Sequence, residues 1–313
     1  MNNITNWLAK TIYKNYKLEI ASTDASFRKY YRLTYKEKSV LLMDSSLERD
    51  SLRAFIDITK KLLDVDVNAP IILEQNLEDG FLIIKDFGNI HYLNVLDSRN
   101  FKDLYSKALG EIIKMQKADA KDLPVYDKNF LHFEMDLMNE WYLQKYLKIS
   151  LSNSQKQLLE TSLDSISKEV LKQPQNVFVH RDFHSRNIML TKDNKIAIID
   201  YQDAMNGAIT YDLVSLLKDC YISYKREDIE NLVLEFRDKL NLNIKNKIFL
   251  KYFDFMGLQR HIKILGIFSR LYLRDYKDGY LKDIPLTLSY LIDTADRYEE
   301  TKELAKFLKD VTK

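Results

Sequence analysis

Apolar positions along this chain change their period about a third of the way in. Residues 4–16 carry Ile4, Trp7, Leu8, Ile12 and Tyr16 near helical spacing. Three β-like segments follow, at 18–21, 30–35 and 39–43. Residues 48–64 fit an amphipathic helix through Leu52, Phe55, Ile56, Leu62 and Leu63. Two more strands, 71–74 and 81–84, flank the turn signal Glu78-Asp79-Gly80. Beyond residue 100 the pattern is mainly helical, over 100–117, 129–147, 153–171, 226–240, 245–273 and 285–309. One small β-like island interrupts it, at 177–179, 188–190 and 196–199.

A small antiparallel sheet followed by helices predicts an α+β, two-lobed arrangement. The stretch Lys85-Asp86-Phe87-Gly88-Asn89 breaks the strand pattern, so the lobe boundary is expected near 86–91. Residues 1–88 would form the N-terminal lobe and 89–313 the C-terminal lobe. A cleft between lobes is a usual place for a ligand.

Composition narrows the class. The 313 residues are 46% hydrophobic, enough for a sizeable core. The 48 basic and 46 acidic residues leave a net charge of +2, which gives no support for nucleic-acid binding. The single cysteine, Cys220, excludes an internal disulfide and a multi-cysteine metal site, and reads as a small buried hydrophobe. The N-terminal stretch lacks a basic-then-apolar signal pattern, and no run approaches the ~18 continuous apolar residues of a membrane span. The expectation is a cytoplasmic protein with no membrane association and no evident obligate protein partner.

The chemistry sits between 180 and 200. His180-Arg181-Asp182-Phe183-His184-Ser185-Arg186-Asn187 leaves one apolar run, and Asp200 closes another. Two acids and an amide are thus expected at strand ends or on tight loops. Phosphoryl transfer from ATP needs such a set, because its transition state is stabilised by position and charge. One carboxylate orients the attacking hydroxyl and takes its proton. Magnesium prefers hard oxygens and keeps waters, so one Asp and one Asn carbonyl suffice from the protein. The spacing H-R-D-x-x-x-x-N matches the catalytic loop of kinases. Asp182 is then the base, and Asn187 and Asp200 the metal ligands. His180, His184 and Arg186 read as scaffold. A zinc helix is disfavoured, because Arg181 stands where H-E-x-x-H places its acid.

These residues, with Ile-Ile-Asp200-Tyr-Gln-Asp-Ala, resemble the aminoglycoside phosphotransferase and choline kinase superfamily. The resemblance implies a protein-kinase-like fold and phosphorylation of a small molecule with ATP and Mg2+. The blocks at 25–33, 40–44, 140–142, 211–217 and above all 257–271 resemble one branch of it. That branch phosphorylates the anomeric hydroxyl of N-acetylmuramate and N-acetylglucosamine in bacterial peptidoglycan recycling. It implies an amino-sugar substrate, adenine held at the hinge by Lys85, Asp86 and Phe87, and phosphates over Asn187 and Asp200.

Two features depart from kinases in general. The turn at 22–28 has no glycine, although small residues such as Ser26 still let backbone N–H groups approach phosphate. Met43 stands near the place of the usual strand-three lysine. Arg28, Lys29 and Arg32 are candidates for the missing charge, Arg28 first because it adjoins the turn. On the acceptor side the candidates are Asp203, Glu140 beside Trp141, and Arg260 with Lys263, which share a helix face at i,i+3. A lactyl carboxylate would suit an arginine fork. Two other readings stay open: a kinase for another small alcohol, such as an aminoglycoside or a choline-like compound, and a nucleotide-binding pseudokinase.

Overall fold

The computed structural model describes residues 2–23 and 28–312. In chain order, the first elements are α1 (Asn2–Leu8), β1 (Lys17–Thr23), β2 (Lys29–Tyr35), β3 (Lys38–Asp44), α2 (Arg49–Leu63), β4 (Ile72–Asn76) and β5 (Phe81–Lys85). Next come α3 (Tyr92–Val95), α4 (Phe101–Met115), α5 (Lys128–Leu137), a π-helical segment (Met138–Tyr146) and α6 (Asn153–Val170). The short strands β6 (Val177–Val179), β7 (Ile188–Leu190), β8 (Ile196–Ile198) and β9 (Met205–Gly207) lead into α7 (Tyr211–Leu217). The chain finishes with α8 (Arg226–Lys239), α9 (Asn246–Asp275), a 3-10 turn (Asp278–Asp283), α10 (Ile284–Ala295) and α11 (Lys302–Val311). The fold is α+β. It divides into one unit of Met1–Asn94 with Arg186–Asp203, and a second of Val95–Ser185 with Ala204–Lys313.

The first unit is built on an antiparallel sheet of order β1-β2-β3-β5-β4. Alternation sets its faces: Tyr31 and Leu33 of β2 are buried, while Arg32 and Thr34 between and after them are less so. Tyr31, Leu33, Leu42, Phe81 and Ile83 form a core with Ile4 and Leu8 of α1. The predicted helix over 4–16 stops at Leu8. Thr11 Oγ1 donates to the Leu8 carbonyl (2.9 Å) and accepts from the Tyr13 N–H (3.1 Å), which offers the backbone a turn instead. At the β4–β5 turn, Gly80 has φ +81°, and a Cβ there would lie 3.0 Å from the Ser46 backbone. β7 and β8 pair as a separate ribbon of this unit.

The expected single β island is in fact two ribbons. β6 pairs with β9 in the second unit, and three residues ending in Gly207 carry no periodic signal by which β9 is found. The second unit is otherwise helical. α9, thirty residues long, is buried without a break from Phe253 to Gly266. A helix buried all round forms the centre of its unit, and here α5, the π segment, α6, α7 and α10 pack against it. The predicted helix over 129–147 changes to π geometry at Met138, next to the point of closest approach to α9. A Cβ on Gly266 would fall 2.3 Å from the Leu137 backbone, so only glycine fits. The predicted helix over 285–309 is two helices, because Thr301 Oγ1 donates to the Ala295 carbonyl (2.9 Å) and ends α10. Among the described residues no helix is long and apolar enough to cross a membrane.

Candidate active site

The loop after β6 is held by two buried acids from α7 and its end. The Asp212 carboxylate accepts the backbone N–H of His180 at 2.7 Å and of Arg181 at 3.0 Å. Asp219 Oδ2 accepts both the N–H and the hydroxyl of Ser185, at 2.9 and 2.5 Å. Burial pushes the Asp212 carboxyl up to about 6, against the pull of His180 and the two N–H donors. Burial raises Asp219 as well. His180 is buried under the loop, where its Nδ1 accepts the Asp182 N–H at 3.3 Å. Arg181 takes φ +76°, a conformation that costs a non-glycine residue and persists where surroundings enforce it.

Asp182 projects from this loop with its side chain 43% exposed. Partial burial works against its charge. The Lys263 ammonium and Arg260 guanidinium, with His184 and Arg181, outweigh that and hold it well below the usual carboxylate range. Arg260 Nη1 is 3.7 Å from Asp182 Oδ1. Behind it lies a buried charge network centred on Glu134 of α5. Glu134 pairs with Arg181 and stands 3.6 Å from Lys263 Nζ, and its other oxygen accepts from Gln259 Nε2 at 3.2 Å. Lys263 Nζ donates to the Tyr211 hydroxyl at 2.8 Å. Removing Glu134 would take the carboxylate from the buried Lys263 and the half-buried Arg181, the costly way to break such a network.

The first unit contains a cavity of about 180 Å³. Its apolar walls include Leu41, Ile84, Phe87, Met189 and Ile199, and its polar end carries Asn187 and Asp200. Asn187 Nδ2 donates to Asp200 Oδ2 (3.1 Å), and Gln202 Nε2 donates to Asp200 Oδ1 (2.9 Å). Asp200 has φ +67°. Lys85 also lines the cavity, with its ammonium 5.1 Å from the Phe87 ring centroid. Asp86 is engaged by Arg32, whose Nε and Nη2 donate to its two oxygens at 2.7 and 3.1 Å. Arg32 donates further to the Gly88 carbonyl and to Asn89 Oδ1, tying β2 to the segment after β5.

The remaining candidates lie elsewhere. Arg28 is buried, donating from Nη2 to Ser51 Oγ (2.8 Å) beside Glu48 at the start of α2. Ser26 lies outside the described residues. Met43 is fully buried. Asp203 is exposed next to Gln202. Glu140, on the exposed side of the π segment, pairs with Lys145 (2.6 Å). Among the described residues no three His, Cys, Asp or Glu side chains cluster as a metal cage. A magnesium ion does not require one. The Asp200 carboxylate and Asn187 carbonyl are hard oxygen donors on one cavity wall, which fits an ion that retains waters.

The sequence profile described as the phosphotransferase enzyme family matches residues 17–238. The chain belongs to that family. N-acetylmuramate/N-acetylglucosamine kinases from Neisseria meningitidis and Pseudomonas aeruginosa are each 37% identical to this phosphotransferase. The first match covers 97% of this chain and 94% of its relative, the second 92% and 86%. In fold, it is similar to the ADP-bound aminoglycoside phosphotransferase APH(2'')-Ib, with TM-score 0.65 and 16% identity over 93% of this chain and 98% of that one. It is likewise similar to the choline kinase LicA from Streptococcus pneumoniae, with TM-score 0.66 and 12% identity over the same shares.

Three residues that hold the loop lie outside the His180–Asp200 motif: Glu134, Asp212 and Asp219. Each left a weak signal in the sequence. Glu134 shares the buried face of α5 with Leu131 and Met135, so it is an acid in an apolar stripe. Asp212 and Asp219 bracket a stretch with four apolar residues, Leu213, Val214, Leu216 and Leu217, that is buried throughout. A buried acid needs partners, and here they are the loop.

Proposed function

We propose that this phosphotransferase transfers the γ-phosphoryl group of ATP to the C1 hydroxyl of N-acetylmuramate or N-acetylglucosamine, as a step in peptidoglycan recycling. The observation that carries this reading is 37% identity over 97% of the chain to a kinase of that name. Use of ATP supports a cytoplasmic setting.

Asp182 is the proposed base, and its depressed pKa keeps it ionised. The acceptor hydroxyl gives its proton to Asp182, its oxygen forms the new bond to phosphorus, and the bond to the bridging oxygen breaks. ADP leaves with that oxygen. Asn187 and Asp200 are the proposed metal ligands. They would hold a magnesium ion, which when bound would supply positive charge to the phosphates. The apolar cavity suits adenine, with backbone groups around Lys85 and Phe87 as partners. Asp86 acts there through Arg32, and Ser26 and Arg28 border the proposed phosphate turn. Asp203 and Glu140 are the weaker acceptor-side assignments.

ADP release with Mg-ATP and a panel of N-acetylmuramate, N-acetylglucosamine, glucosamine, choline and kanamycin tests the reading. We expect turnover with the two N-acetyl sugars. Turnover confined to choline or kanamycin would transfer the chain to another branch, and none with any acceptor would favour the pseudokinase.

A further inference from the structure

Arg260 is an unusual residue for the middle of a helix. It is 2% exposed on α9, and its Nε has no hydrogen-bond partner among the described residues. Its guanidinium approaches the Asp182 carboxylate at 3.7 Å, too far for a hydrogen bond. A buried guanidinium short of acceptors is costly, and such groups mark places where a ligand completes the set. Lys263, one turn away on the same face, differs. Its ammonium already meets Tyr211 and Glu134, so it acts as a positioning residue.

The distance to Asp182 decides which part of a sugar Arg260 meets. The reacting hydroxyl must hydrogen-bond to the base, so a group 3.7 Å from that base is within reach of the same oxygen. The lactyl carboxylate of muramate hangs from C3, two ring atoms from C1, and so is separated from the reacting hydroxyl. Other groups that interact electrostatically with Arg260, among them Tyr211, Cys220, Asp219 and Asp212, belong to the buried scaffold. Charge gives the arrangement a purpose. A carboxylate held below its usual range is a weak proton acceptor, and a cation at the acceptor oxygen offsets that weakness by stabilising the developing negative charge. An anomeric hydroxyl, more acidic than an ordinary alcohol, suits such a pair.

We propose that Arg260 is a catalytic residue: its guanidinium donates to the C1 oxygen as that oxygen loses its proton to Asp182, for both amino sugars alike. This rests on the reading of the chain as an anomeric amino-sugar kinase.

Steady-state kinetics of Arg260→Lys and Arg260→Met with N-acetylmuramate and with N-acetylglucosamine test it, with Mg-ADP binding as the check on folding. In Arg260→Met we expect kcat to fall by about 10²–10³ with each sugar, the usual cost of losing one donor to a developing oxyanion, with KM little changed. Arg260→Lys should recover part of that kcat. A rise in KM for N-acetylmuramate alone would show that Arg260 reads the carboxylate, and overturns the proposal. So does kcat near wild type with both sugars. If Arg260→Met no longer binds Mg-ADP, Arg260→Lys decides: a lowered kcat at unchanged KM supports the role, and an unchanged kcat removes it. Wild-type protein that turns over neither sugar refutes the substrate reading itself, and the proposal falls with it.

Discussion

The side-chain amide of Asn187 donates to Asp200 Oδ2 at 3.1 Å, which couples the two proposed metal ligands. Gln202 occupies the other Asp200 oxygen at 2.9 Å, so the carboxylate is fixed in orientation before any ion arrives. Asp200→Ala should therefore lower magnesium-dependent ADP affinity by more than about 100-fold, beyond the loss seen when only an outer partner of a ligand is removed. Calorimetric titration with and without Mg2+ measures it. Affinity that does not change removes Asp200 from the metal site.

Asp182→Asn retains shape but cannot accept the proton. We expect kcat to fall by about 10³, within the usual range for a general base. Mg-ADP affinity should be retained, since the proposed nucleotide residues belong to the other unit. Turnover near wild type would contradict the role of Asp182.

Asp219→Ala strips the acceptor from the Ser185 N–H and hydroxyl in a fully buried setting. Two unsatisfied donors predict a loss of about 2–4 kcal/mol. Urea unfolding reads this directly, and a change below about 0.5 kcal/mol would show that Asp219 does not support the loop.

His261 gives the fold an acid-sensitive point. Burial, then the nearby Lys218 charge and that of Arg260, push it down to about 3, although its Nε2 lies 3.1 Å from the Lys218 carbonyl and Asp254 is close by. An unfolded histidine titrates near 6.5, so between about 3 and 6.5 the unfolded state binds the extra proton. Stability contributed by neutral His261 is complete above 6.5 and is lost as pH falls through that window, on the order of a few kcal/mol. Unfolding free energies of wild type and His261→Gln at several pH values from 7 to 4 should show a flatter slope in the variant. Parallel slopes would mean that other groups carry the acid sensitivity.

How far the sequence reveals this depends on the range of the interactions. The strands β2 and β3 are legible because a half-buried strand alternates, as Tyr31 and Leu33 do around Arg32. Helix ends are less so: Thr11 and Thr301 stop helices through local side-chain bonds that apolar spacing does not register. α7 escapes entirely, since all seven of its residues are buried and no polar face marks a period. Asp182, Asn187 and Asp200 stand out as a motif because they leave apolar runs at fixed spacing. Asp212 does not, because the N–H groups it accepts lie 32 and 31 positions earlier. Arg28 looks like a spare charge beside a turn, yet it meets Ser51, 23 positions on. The role of Gly266 depends on the approach of Leu137, which no local pattern announces.

The most direct measurement is the identity of the product. Incubation with Mg-ATP and N-acetylglucosamine or N-acetylmuramate, followed by proton–phosphorus correlation NMR, shows which carbon carries the phosphate. We expect phosphorus coupled to the anomeric proton, together with loss of the reducing end. Phosphorus coupled to the C6 protons, with the reducing end intact, would contradict transfer to C1.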